Sequence, residues 1–107
     1  MIAASFIFQP NNTQGDFELL DNQIMAFTES IPEYLGKTKW VSPDGAQTNV
    51  IYYFETKAAL QQLMQFETHK VAKSRNSEWY DGYRVEIYDV ISQYGQSANL
   101  SRGNHAR

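Results

Sequence analysis

The chain has 107 residues, no cysteine and a net charge of −3. This length predicts one domain with a single core, and the absence of cysteine excludes disulfides, thiolate metal sites and a thiol nucleophile. An acidic surface repels phosphate, which argues against nucleic acid as a partner. The first residues lack a basic segment and become polar at Gln9 and Pro10, unlike a signal peptide or a membrane span, so we expect a cytoplasmic protein.

The first half of the chain predicts a strand, a helix and a second strand. Residues 2–8 are apolar at both sets of alternate positions, which is typical of a strand covered on both faces. Thr13 or Asp16 would cap a helix whose apolar stripe recurs at steps of three and four. The stripe consists of Phe17, Leu20, Ile24, Phe27 and Ile31. A strand over about residues 37–41 then leads into a turn at residues 42–45, where Pro, Asp and Gly follow one another.

The second half predicts a strand, two helical pieces and a final strand. The aromatic run 49–55 is the strand, and Thr56 after it is the N-cap of a helix over 57–65. A second helical piece covers 67–74, and Gly82 opens the last alternating strand. Four positions of the first helical piece are expected to face inward: Ala59, Leu60, Leu63 and Met64.

The resulting order, β-α-β-β-α-β, predicts an α+β, ferredoxin-like fold with a four-stranded antiparallel sheet and the helices on one face. Its strands carry large apolar residues at adjacent positions, as in Tyr52-Tyr53-Phe54. The face without helices would therefore expose a large apolar patch. A second copy packed face to face removes that patch, so we expect a homodimer that forms a dimeric α/β barrel. The predicted domain spans residues 1–95, and residues 96–107 are expected to be a disordered tail.

Six short motifs carry a family resemblance that covers roughly residues 1–95. They are Tyr34-Leu35-Gly36, the passage from Tyr53 to Leu60, Glu67-Thr68-His69, Trp79-Tyr80, Tyr83-Arg84-Val85 and Tyr94-Gly95. In combination they resemble the antibiotic biosynthesis monooxygenase family of dimeric α/β barrels. The resemblance implies a homodimer with a pocket in each subunit between sheet and helices. Members of that family include cofactor-independent quinol-type monooxygenases, haem-degrading enzymes and proteins without an established activity.

The chain departs from both characterised kinds of site in that family. The first strand lacks the asparagine of the haem-degrading members, and Leu63 and Lys73 stand where their tryptophan and histidine are expected. Haem degradation is therefore disfavoured. Phe54 occupies the position of a typical tryptophan in the strand-to-helix passage, which keeps the bulk but removes the indole N–H donor.

His69 is the only histidine within residues 1–95, and it is the predicted catalytic proton acceptor because small shifts bring its pKa to working pH. The alternative is a structural histidine that bonds a backbone carbonyl at the junction of the two helical pieces. No second histidine, cysteine or closely spaced carboxylate accompanies it, so no metal site is predicted. Acidic residues of the first helix and its end are explained by a solvated surface. They are Glu18, Asp21, Glu29 and Glu33.

The predicted substrate-binding residues are aromatic, with one cation. Trp40, Tyr53, Trp79 and Tyr83 would wall a pocket for a flat molecule, and Arg84 would steady an oxyanion. The alternative role for the aromatic residues is core and dimer packing. For Arg84 the alternative is an ion pair across the dimer with Glu86 or Asp89.

These observations lead to one functional hypothesis and two alternatives. The first is a monooxygenase that acts with dioxygen and no bound cofactor on a small aromatic or quinol-type compound. The second is a non-catalytic or stress-related module that holds a hydrophobic small molecule in the same pocket. The third is a haem-binding protein in which His69 ligates iron.

Overall fold

The structure is a computed structural model that describes residues 1–11 and 17–95. Its elements in chain order are β1 (Ile2–Pro10), α1 (Phe17–Ser30), β2 (Tyr34–Val41), β3 (Thr48–Phe54), α2 (Lys57–Gln65), α3 (Glu67–Ser74), a 3₁₀ turn (Asn76–Glu78) and β4 (Tyr80–Asp89). The predicted order of strands and helices is confirmed. The predicted caps Thr13 and Asp16 and the predicted tail lie outside the described residues.

Boundaries are most accurate where the sequence carries a chemical signal. Both α2 and α3 begin and end where predicted. The Thr56 side chain caps α2 as expected, because its Oγ1 accepts a hydrogen bond from the Ala59 N–H at 3.2 Å. The strands extend beyond their predictions: β2 begins at Tyr34 rather than Lys37, and β4 begins at Tyr80 rather than Gly82. The first residues of β2 and β4 depend on pairing with neighbouring strands, which the sequence of one strand does not show.

The four strands form one antiparallel sheet in the order β2-β3-β1-β4. In the central strand β1, Ala4 lies opposite Tyr52 of β3 and opposite Ile87 of β4. Directly opposed residues in a sheet point to the same face. All three residues therefore share one face, which we call the helix-side face because the helices pack on it. The opposite face, on which Ala3 and Tyr53 are paired, is called the outer face.

The core lies between the helix-side face and the helices. It is formed by Ala4, Ile31, Phe54, Ala59, Leu60 and Leu63. Phe54 has no exposed surface, so the bulk expected at the strand-to-helix passage is fully enclosed. Met64 was predicted to face inward, and this is wrong, because 36% of its surface is exposed. One residue turns a helix by about 100°, and the inward side of α2 is already occupied by Leu60 and Leu63.

One further contact packs the helices against each other, and a hydrogen-bonded turn joins β2 to β3. The ring of Phe66, at the junction of α2 and α3, stacks on Phe27 of α1 with 4.1 Å between ring centroids. The predicted turn between β2 and β3 is present, with the Gly45 N–H bonded to the Ser42 carbonyl at 2.8 Å. Gly45 adopts φ of 74°, a conformation that favours glycine. Among the residues described, no helix is long and apolar enough to cross a membrane.

Candidate functional site

A cavity of about 270 Å³ lies between the helix-side face of the sheet and α1. We call it the aromatic cavity, because six of its wall residues are aromatic: Phe6, Phe8, Phe17, Tyr52, Trp79 and Tyr80. The rings of Phe6 and Phe8 each lie against Tyr80, with centroids 5.4 Å and 4.8 Å away. Aromatic walls of this kind favour a flat ligand.

Trp79 supplies the wall nearest the 3₁₀ turn. Its ring lies between Phe17, at 5.4 Å between centroids, and the Arg75 guanidinium, at 5.1 Å from the ring. Arg75 is held in turn by two hydrogen bonds of 2.8 Å to the Glu78 carboxylate. Trp79 is only 3% exposed, and its buried Nε1 has no hydrogen-bond partner among the described residues. Within the described residues this N–H is therefore an enclosed donor without a partner.

Asp21 places a carboxyl group in the same wall. It lies one helical turn after Phe17, and residues four apart share a helix face. The expectation that Asp21 belongs to a solvated surface is wrong, because the side chain is half-buried at the cavity. Burial raises the pKa of this carboxyl, and the charges of Lys37 and Lys39 oppose part of that rise. A carboxylate with a raised pKa is a better proton acceptor than an ordinary one.

Two tyrosines share the electrostatic field of Asp21. Burial raises the pKa of Tyr52, and the negative charge of Asp21 adds to that effect. Burial likewise raises the pKa of Tyr80, again with a contribution from Asp21. Both phenols therefore keep their protons at neutral pH and are available as hydrogen-bond donors. Lys39 and Thr48 complete the polar lining of the aromatic cavity.

Of the residues predicted to bind substrate, Trp79 lines the aromatic cavity. Tyr83 lies on the same face of the sheet, opposite Phe8, but it is 45% exposed and is not among the cavity walls. The other three, Trp40, Tyr53 and Arg84, lie on the outer face, as their pairing in the sheet shows. The structure thus does not bring the predicted set together in one place.

The outer face has a feature of its own. A wider and more open depression of about 590 Å³ lies there, lined by Tyr53 and Tyr88 and by part of the extended segment 90–95. Arg84 approaches Glu86 of its own strand at 3.6 Å, and the Tyr88 hydroxyl donates to the same carboxylate. Among the described residues that line the depression, none carries a carboxylate or an ammonium group. We therefore place the candidate chemistry in the aromatic cavity, which is smaller but better enclosed.

His69 lies on α3 and lines neither cavity. Burial lowers its pKa, and the charge of Lys73 lowers it further. Its buried Nδ1 has no hydrogen-bond partner in the described part of the chain, so this nitrogen does not make the carbonyl bond that the structural alternative for His69 expects. Within residues 1–11 and 17–95 there is no group of three or more His, Asp or Glu side chains that could hold a metal ion.

Several solved structures share this architecture. The cofactor-independent oxygenase SnoaB from Streptomyces nogalater superposes with a TM-score of 0.69 at 10% identity, over 89% of this chain and 97% of that chain. An antibiotic biosynthesis monooxygenase gives 0.65 at 17% identity, over 86% and 100%. A protein from Mycobacterium tuberculosis gives 0.72 at 12% identity, over 88% and 98%. The chain has the antibiotic biosynthesis monooxygenase fold. No protein-family model and no curated protein matches the sequence.

Proposed function

We propose that the protein is a cofactor-independent monooxygenase that oxidises a small aromatic or quinol-type compound with dioxygen. One observation carries the proposal: a desolvated carboxylate, Asp21, lines an aromatic cavity whose wall also contains the hydroxyl-bearing rings of Tyr52 and Tyr80. This combination supplies a base, hydrogen-bond donors and an aromatic wall for a flat ring. The shared fold with a cofactor-independent oxygenase supports the same reading.

The proposed reaction begins with proton transfer from a phenol hydroxyl to the Asp21 carboxylate. The resulting phenolate is electron-rich enough to reduce dioxygen directly. One oxygen atom becomes a new ring carbonyl at the carbon that loses its hydrogen. The other oxygen atom leaves as water with that hydrogen and the hydroxyl proton, so a phenol and dioxygen give a quinone and water. The Tyr52 and Tyr80 hydroxyls would hold the substrate oxygens during this change.

Asp21 is the proton acceptor in this proposal because it lines the cavity. His69, the acceptor predicted from the sequence, is the alternative to Asp21, and the substrate contacts assigned to Trp40, Tyr53, Tyr83 and Arg84 stay predictions. A base needs to lie within hydrogen-bond reach of the proton that it removes.

The proposal includes a homodimer joined through the outer face. Trp40 and Tyr88 on this face are 63% and 49% exposed, and Ile91 and Tyr94 beyond β4 are 93% and 94% exposed. Such a surface is stabilised when a second copy covers it. Sedimentation should show a dimer that Tyr88→Arg dissociates. Leu19→Arg, a matched change at a residue 59% exposed on α1, should leave the dimer intact, and a wild-type monomer would contradict the assembly.

Oxygen uptake by the purified protein with a panel of naphthols and quinols tests the proposed reaction. The wild type should consume oxygen, and Asp21→Asn should lower the rate by about 10²- to 10⁴-fold, the usual loss for a general base. His69→Ala is measured beside it and should retain activity. Loss of uptake in His69→Ala with full activity in Asp21→Asn would refute the role of Asp21. Ligand binding without uptake would refute the oxygenase and favour a binding module.

A further inference from the structure

The aromatic cavity has a cation at its entrance. Lys39 lines the cavity and is exposed, so it stands where the cavity meets solvent. Lys37, two residues earlier on the same strand and the same side of the sheet, adds a second positive charge near the site. Among the described residues neither ammonium forms an ion pair within 4.0 Å. The entrance therefore holds positive charge that no carboxylate of the described residues contacts directly, although Asp21 interacts with it at longer range.

The negative and positive charges near the cavity belong to different secondary-structure elements. The acidic groups Asp21 and Glu18 both belong to α1, whereas Lys37 and Lys39 both belong to β2. Asp21 feels all three of the other charges, because each of them shifts the pKa of its carboxyl. A ligand that enters this field is oriented: its anionic group lies toward β2, and its neutral hydroxyl lies toward α1.

From this arrangement we infer that the substrate is a hydroxyarene that also carries a carboxylate, bound with that carboxylate at Lys39. The inference rests on the proposed function for the hydroxyl that is oxidised. The carboxylate of the ligand is inferred only from the lysine charges at the entrance of the cavity. A volume of about 270 Å³ lies just below the roughly 300–1,000 Å³ of drug-sized ligand pockets, which limits the ligand to one or two fused rings.

Equilibrium binding of naphthoate and naphthamide tests this inference without any turnover. The two probes share shape and rings and differ in charge. The wild type should bind naphthoate about fivefold more tightly, the upper range for an ion pair near solvent. The preference should shrink at high salt, because the pair is screened. Lys39→Gln should abolish it, whereas Lys57→Gln, a matched change at an exposed lysine of α2 outside the cavity wall, should leave it unchanged.

The outcomes separate this inference from the proposed reaction. Equal affinity for the two probes, no binding of either, or a preference that survives Lys39→Gln would overturn the carboxylate assignment. Oxygen uptake with a neutral naphthol would then still support the oxygenase. Conversely, a Lys39-dependent preference for naphthoate in a protein that consumes no oxygen would support the anion site and refute the proposed reaction.

Discussion

The unsatisfied indole N–H of Trp79 leads to a quantitative prediction for ligand binding. A buried donor without a partner costs about 1–3 kcal/mol. The N–H is enclosed in the free protein, so we expect the Trp79 ring to shift when a ligand oxygen accepts this hydrogen bond and recovers that free energy. Trp79→Phe removes the donor while it keeps an aromatic ring in the wall. We therefore expect the affinity for naphthol to fall by about 5- to 150-fold. The affinity for methylnaphthalene, which has no acceptor oxygen, should change by only about twofold.

The chain provides its own control for this measurement. Trp40 is the only other tryptophan in the sequence, and it lies 63% exposed on the outer face. Trp40→Phe is chemically the same substitution and should leave the affinity for both ligands unchanged. Titration calorimetry on the three proteins gives the comparison. Equal weakening of naphthol and methylnaphthalene in Trp79→Phe would refute the reasoning, because it would show that ring volume rather than the N–H determines binding.

Three predictions concern stability. The raised pKa of Asp21 means that the folded state binds more protons than the unfolded state between the ordinary value of 3.8 and the folded value. The free energy of unfolding therefore falls as pH rises through that window. Asp21→Asn should unfold at a higher urea concentration than the wild type at neutral pH and lose this advantage below pH 3.8. A difference between the two urea midpoints that does not change with pH would contradict the burial effect. Leu63→Ala should lower the free energy of unfolding by about 3 kcal/mol, which corresponds to a fall of about 13 °C in Tm for 107 residues. Met64→Ala should lower it by under about 1 kcal/mol. Equal losses in the two variants would mean that α2 is rotated. Arg75→Met removes both the cation over the Trp79 ring and the ion pair with Glu78. It should lower the free energy of unfolding by about 0.5–1 kcal/mol, and an unchanged melting curve would show that these contacts contribute nothing.

The sequence predicts the helices well because their signals are local. The bounds of α2 depend on the hydroxyl of Thr56 and on apolar residues at helical spacing, and both act within one or two turns. The position of Met64 was missed because four apolar neighbours on a helix span more than the inward side can accept. Burial then depends on how the helix is rotated against the sheet, which only tertiary contacts set.

The candidate site was less predictable for a related reason. Where both sets of alternate positions in a strand are apolar, the two-residue period does not show which set faces the helices. Tyr52 and Tyr53 are adjacent, yet the register with β1 places Tyr52 at the aromatic cavity and Tyr53 on the outer face. The one available signal for Asp21 was its spacing of four residues from Phe17.

The most direct test of the proposed reaction is the fate of labelled dioxygen. The protein is incubated with naphthol under ¹⁸O₂, and the naphthoquinone product and the water are analysed by mass spectrometry soon after mixing. A cofactor-independent monooxygenase should place one labelled oxygen atom in the quinone and the other in water. Unlabelled quinone, or dioxygen released as hydrogen peroxide instead of water, would contradict the proposed reaction.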